Sequence, residues 1–136
     1  MIKGINHVGV VVNSIEDVLK VFSGMFQFKK TMTVIDAQEE FKSCIISTNA
    51  ASIELIEPLG SRGSIAKFLE RRGGGLHHVS LEVDDIDQEI RSLHKMGVRL
   101  VNSEPQSLQN SRVAFVHPQA TMGVLIELIE KTRNSQ

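Results

Sequence analysis

The alternation of apolar and polar positions changes period twice along the chain, and then repeats the whole succession. Ile5-Asn6-His7-Val8-Gly9-Val10-Val11-Val12 is a β-branched apolar run with a histidine near its start, and Leu76-His77-His78-Val79-Ser80-Leu81-Glu82-Val83 has the same form. Such runs predict strands. Each is followed by a helix-start signal, Ser14 with Asp17 and Asp85 with Gln88, whose side chains can satisfy the free N–H groups of a first turn. Ile15, Val18, Leu19, Phe22, Met25 and Phe26 then recur at helical spacing. Ile86, Ile90, Leu93, His94 and Met96 do so in the second copy, closing at Gly97.

Three strand-like segments follow each helix. They are Phe28 to Ile35, Phe41 to Thr48 and Ser52 to Glu57, then Val98 to Val101, Arg112 to His117 and Gly123 to Ile129. The closing segments share a pattern, Ile53-Glu54-Leu55-Ile56-Glu57 against Ile126-Glu127-Leu128-Ile129-Glu130. His7 and His78 are 71 residues apart, and Glu54 and Glu127 are 73 apart. Offsets this similar predict one βαβββ unit present twice, with equivalent positions related by approximate two-fold symmetry. The expected division is a first module over about 1–57, a linker over about 58–75 and a second module over about 76–130. Ser64 to Glu70 predicts a short helix within the linker, ahead of a Gly73-Gly74-Gly75 turn.

Four residues stand out against this pattern. Strand side chains alternate faces, so His7 shares a face with Gly9 and Val11, and His78 with Ser80 and Glu82. Glu54 and Glu127 lie inside almost continuous apolar strands, where an uncompensated carboxylate costs several kcal/mol to bury. A lone histidine at a strand start is ordinarily structural, and a lone strand glutamate ordinarily faces solvent. Both types at matched positions in both copies point instead to a shared divalent cation. Two imidazoles and two carboxylates suit zinc, nickel, cobalt or manganese. Parity turns His77, Glu57 and Glu130 to the opposite face. His94 and His117 read as structural or exposed, and Cys44 as a small core residue. The glycine run lacks phosphate-loop spacing. Arg62, Lys67, Arg71 and Arg72 fit either contacts to the phosphates of a bulky acyl carrier or a solvated helix face.

Composition narrows the partners. Over 136 residues, 15 basic side chains stand against 16 acidic ones, so no nucleic-acid surface or polybasic membrane patch is indicated and a small-molecule partner is expected. The longest apolar runs are far shorter than the roughly 20 residues of a membrane span. One cysteine and the lack of a signal-peptide pattern make the cytoplasm the expected compartment.

Taken together, Ile5-Asn6-His7-Val8-Gly9, Ile53 to Gly60 with Ser64 to Leu69, Gly74-Gly75-Leu76-His77-His78 with Glu82 to Ile86, Phe115-Val116-His117-Pro118 and Gly123 to Leu128 resemble the vicinal oxygen chelate superfamily (glyoxalase, bleomycin resistance and dioxygenase proteins), and within it the methylmalonyl-CoA epimerases. The resemblance covers nearly the whole chain. It implies an α+β fold in which two tandem βαβββ modules form a curved, incompletely closed, eight-stranded mixed sheet around a metal. It also implies that His7, Glu54, His78 and Glu127 are the ligands of one divalent ion. The implied reaction interconverts (2R)- and (2S)-methylmalonyl-CoA by proton abstraction through a metal-stabilised enolate, with Glu127 as the base.

Three positions depart from the family. The place of a second catalytic glutamate falls on Ser43, with Glu39 and Glu40 nearby. The segment Ser107 to Arg112 has no glycine, and Phe26-Gln27-Phe28 stands where a glycine is common. A lactoylglutathione lyase acting on a glutathione hemithioacetal would use the same four ligands, whereas Pro58-Leu59-Gly60 and the linker favour an acyl-CoA thioester. A non-catalytic binding or resistance protein on the same scaffold is the third reading. The substrate-binding side chains are not specified by the sequence. A homodimer is expected, because superfamily members exchange modules and apolar strand edges need covering.

Overall fold

The structure is a computed structural model, and residues 1–132 are described. Eight strands and three helices follow in the order β1 (Ile2–Val11), α1 (Ile15–Met25), β2 (Lys29–Asp36), β3 (Phe41–Ser47), β4 (Ser52–Pro58), α2 (Ser64–Arg72), β5 (Gly75–Val83), α3 (Ile86–Lys95), β6 (Gln106–Leu108), β7 (Ser111–Val116) and β8 (Ile126–Lys131). The expected α+β class and the twofold βαβββ succession are both present. The hydrogen-bonded order is β2-β3-β4-β1-β5-β8-β7-β6, a mixed sheet in which the first and fourth strand of each copy run parallel.

The chain forms two compact units, and β1 is divided between them. Residues His7–His77 make one unit, and Met1–Asn6 joins the segment from His78 onward in the other. In the first unit α1 begins at Ser14, whose hydroxyl accepts the N–H of Asp17 at 3.1 Å. Its apolar stripe lies on one face of the sheet, where Ile15 packs with Cys44, Ile46 and Leu55, and Val18, Leu19 and Phe22 extend the contact. Cys44 is fully buried there, in agreement with its reading as a core residue. The opposite face is covered at one end by α2, through Ile65 against Val11 and Ile56, with Phe41, Phe68 and Leu69 around them. This helix stops at Gly73 in a left-handed conformation, its N–H bonded to the carbonyl of Leu69 at 2.8 Å. At Gly74 any side chain would bring a Cβ within 2.9 Å of the Val11 carbonyl, so the backbone passes β1 at a distance only glycine allows.

The second unit repeats the plan. Asp85 caps α3 by accepting the N–H of Gln88 at 3.0 Å. Ile86 and Ile90 bury against Val83, Leu100, Ala114, Val116 and Leu128.

Two strand expectations need correction. Val98 to Val101 makes no strand: Leu100 forms a single isolated bridge to Val116, and β6 is instead the short Gln106–Leu108. The reason is tertiary. Val98 turns its N–H back to the Leu93 carbonyl at the end of α3 and Leu100 is drawn into the α3 core, so pairing with β7 is limited to the two bonds that flank the bridge, Val101 N–H to the Phe115 carbonyl and His117 N–H to the Arg99 carbonyl. The segment Ser107 to Arg112 is consequently a hairpin, with Ser107 paired to Arg112. The last strand also begins later than Gly123. Met122 and Gly123 both adopt positive φ in a turn where the Gly123 N–H meets the Pro118 carbonyl at 2.7 Å.

Candidate metal centre

In the first unit, strand register decides which side chains can meet. Gly9 pairs with Glu54 across the parallel β1–β4 contact, and Ile45 and Ser43 pair with Glu54 and Ile56 across β3–β4. Paired residues share a face, so His7, Ser43, Ile45, Glu54 and Ile56 lie on the side away from α1. There His7 Nε2 and Glu54 Oε1 are 3.9 Å apart. His7 is buried, and burial lowers its pKa to about 4, which favours the neutral imidazole, the form that ligates a metal.

The second unit has the matching pair. Ser80 registers with Glu127 across β5–β8, and Phe115 with Glu127 across β7–β8. His78 Nε2 stands 3.9 Å from Glu127 Oε2, and its ring meets Phe115 edge-on at 5.8 Å between centroids. The Ser80 hydroxyl donates to Glu127 Oε1 at 2.7 Å. Burial pushes the Glu127 carboxyl up to about 7, and the serine bond opposes that rise without cancelling it. A carboxylate this buried, inside an apolar strand, is what a cation ligand or a proton acceptor requires.

Residues 6–115 match the family model of the glyoxalase/bleomycin resistance protein/dioxygenase superfamily. The chain belongs to that superfamily. It is 34% identical to the ethylmalonyl-CoA/methylmalonyl-CoA epimerase of Cereibacter sphaeroides, over 94% of this chain and 98% of that protein. It is 30% identical to the mitochondrial methylmalonyl-CoA epimerase of Dictyostelium discoideum, over 93% of this chain and 78% of that one. Among solved structures, the methylmalonyl-CoA epimerase from Mycobacterium tuberculosis superposes with a TM-score of 0.90 at 31% identity, covering 96% of this chain and 89% of the other. The resemblance read from the motifs is thus borne out in both sequence and fold.

For a glyoxalase/bleomycin resistance/dioxygenase superfamily member the implied cofactor is a divalent metal, and the donor set fits one. In each unit an imidazole nitrogen and a carboxylate oxygen are too far apart for a hydrogen bond. Their separation is of the order of 3–4 Å expected for two donors on one ion with bonds of about 2.0–2.2 Å.

The remaining sequence candidates fall elsewhere. His77, next to His78, packs edge-on against Phe68 at 4.9 Å, and burial, reinforced by Arg72, lowers its pKa. His94 is exposed in the last turn of α3, and His117 Nδ1 accepts the N–H of Gln119 at 3.1 Å. Ser43 is buried on the Glu54 side of β3. Glu39 and Glu40 occupy the turn after β2, where the Glu40 carbonyl accepts the Leu59 N–H. Lys67, Arg71, Arg72 and Arg62 are all exposed, and the Arg72 guanidinium lies 5.4 Å over the Phe68 ring.

Two roles depend on partners far along the chain. Ser80 bonds Glu127, and the change from Gly9 to Ser80 at matched positions is its signal in the sequence. Glu57 and Glu130, on the face opposite the proposed ligands, bond helix N-termini.

Proposed function

We propose that the chain is a metal-dependent epimerase that interconverts (2R)- and (2S)-methylmalonyl-CoA, with His7, Glu54, His78 and Glu127 holding one divalent ion. The observation that carries this reading is the pair of matched imidazole–carboxylate couples, buried at His7, His78 and Glu127 and half-buried at Glu54, in a chain whose relatives over nearly full length are named as epimerases of such thioesters. When bound, the ion supplies Lewis-acid stabilisation of the negative charge that develops on the thioester oxygen. Cobalt, nickel, manganese and zinc all accept these donors.

The chain's own residues account for the proton. Glu127 is the base that removes it from C2, its second oxygen already engaged by Ser80. Burial favours the neutral form of His7, the form in which an imidazole serves as a metal ligand. Return of a proton on the opposite face requires a second acid, and Ser43 occupies the family position from which a carboxylate would supply it. With serine there, a water supplies the proton on that face while Glu127 serves the other.

The chain acts as a homodimer, supported by exposed apolar side chains such as Ile2, Ile5 and Leu76. It works in the cytoplasm, where a lone, buried thiol stays reduced; among the described residues no helix is long and apolar enough to cross a membrane. Its modules divide near residues 57 and 76, as the repeat offsets indicate.

The test is solvent deuterium incorporation at C2 of methylmalonyl-CoA, followed by NMR, with metal-free protein and with protein reloaded with each of the four metals. Metal-dependent exchange above the uncatalysed rate is expected. No exchange in protein shown to be folded and metal-loaded overturns the epimerase reading, and turnover of a glutathione hemithioacetal in its place assigns the lyase.

A further inference from the structure

The two modules carry their glutamates in equivalent settings except at one position. The β1 residue in register with Glu54 is Gly9, and the β5 residue in register with Glu127 is Ser80. Each lies two residues after the histidine of its strand. Ser80 is completely buried, and a hydroxyl in an apolar strand costs stability unless it is paired. Its partner is Glu127: Ser80 Oγ donates to Oε1 at 2.7 Å, the ordinary length of a well-formed hydroxyl hydrogen bond. With Oε1 anchored, rotation of the carboxylate about its last torsion is restrained and Oε2 is the oxygen left toward His78.

We infer that Ser80 is a positioning residue that fixes the orientation of the Glu127 carboxylate, so that a single defined oxygen faces the metal and the substrate proton. The inference rests on the ligand and base roles proposed above for Glu127. Glycine at position 9 has no side chain with which to restrain Glu54 in the same way, so Ser80 breaks the equivalence of two carboxylates that the repeat would otherwise make alike. Hydrogen bonds that orient a ligand in this manner commonly govern metal affinity by about 10- to 100-fold.

The test compares wild type with Ser80→Ala and Ser80→Thr in two independent measurements. The first is cobalt affinity by chelator competition, with the visible spectrum of the cobalt-loaded protein. Ser80→Ala is expected to weaken binding about 10-fold or more and to alter the ligand-field bands, while Ser80→Thr, which keeps the hydroxyl, restores both. The second is the carboxyl 13C resonance of Glu127 in metal-free protein, expected to shift in Ser80→Ala and to stay in place in Ser80→Thr. An alanine variant with wild-type affinity, bands and carboxyl resonance overturns the role of Ser80. If the methyl group of threonine disturbs the fold, the alanine comparison decides alone. Wild-type protein that binds no cobalt overturns the metal reading, and the metal-free resonance still decides whether Ser80 orients Glu127.

Discussion

Glu57, near the end of β4, accepts the backbone N–H of Ile15 at the first turn of α1, at 2.8 Å. The second module repeats the bond, with Glu130 accepting the N–H of Ile86 at 3.1 Å. A cation on the neighbouring strand completes each arrangement. Lys42 lies 2.9 Å from Glu57, and Arg112 lies 3.6 Å from Glu130 while holding Asp87 of α3 in a two-point bond. A helix N-terminus presents unsatisfied N–H groups and a partial positive charge, so a carboxylate there stabilises the helix and fixes it to the strand. Glu57 and Glu130 each follow a proposed ligand by three residues, which places the clasp and the ligand on opposite faces of one strand. Substitution of either glutamate by alanine is expected to lower stability by about 1–2 kcal/mol, and by glutamine less, because the amide oxygen still accepts. Urea denaturation checks this, and unchanged stability in both alanine variants would show the clasps to be incidental.

The legible parts of this molecule were those written in local periodicity. Apolar alternation around His7 and His78, helical spacing after Ser14 and Asp85, and the matched Glu54 and Glu127 all survive in the structure because each depends on neighbours within a few residues. What stayed hidden depends on long-range partners: the Glu57–Ile15 bond spans 42 residues and the Ser80–Glu127 bond 47. The position of β6 is hidden for a related reason. Val98 and Leu100 have the composition of a strand, but the α3 core claims them, and the exposed Gln106–Leu108 that does pair with β7 has no buried face to mark it.

Adjacent histidines separate the two faces of β5. His78 is paired with Glu127, whereas His77 packs on Phe68. His78→Ala is expected to abolish stoichiometric metal binding in equilibrium dialysis, and His77→Ala to retain it while losing on the order of 1 kcal/mol of stability with the ring contact. Equal metal loss in both variants would contradict the assignment of faces.

Removing the proton acceptor while keeping an oxygen donor tests the chemistry of Glu127. Glu127→Gln keeps an amide oxygen for the ion and for Ser80, but it has no basic carboxylate. C2 exchange is expected to fall by roughly 10²- to 10⁴-fold, with metal retained at higher metal concentration. Near wild-type exchange in the metal-loaded variant would transfer the base role to another group.

Burial acts on His7 and Glu127 with opposite signs, and the metal-free protein should show it. His7 falls from 6.5 to about 4 on folding, so between those values the unfolded chain holds more protons than the folded one, and this contribution makes stability rise with pH. Glu127 climbs from 4.5 to about 7, so between those values the folded chain holds more protons, and this contribution makes stability fall as pH rises. Each shift corresponds to about 3 kcal/mol at most. The two windows overlap from about 4.5 to 6.5, where they offset one another and hide both groups in wild-type protein. Single substitutions uncover them. Metal-free Glu127→Gln is expected to gain stability in urea denaturation as pH rises from 4 toward 6.5, and metal-free His7→Gln to lose it as pH rises from 4.5 toward 7. Parallel profiles in the two variants would mean that at least one of these side chains is more solvated than its position in the strand implies.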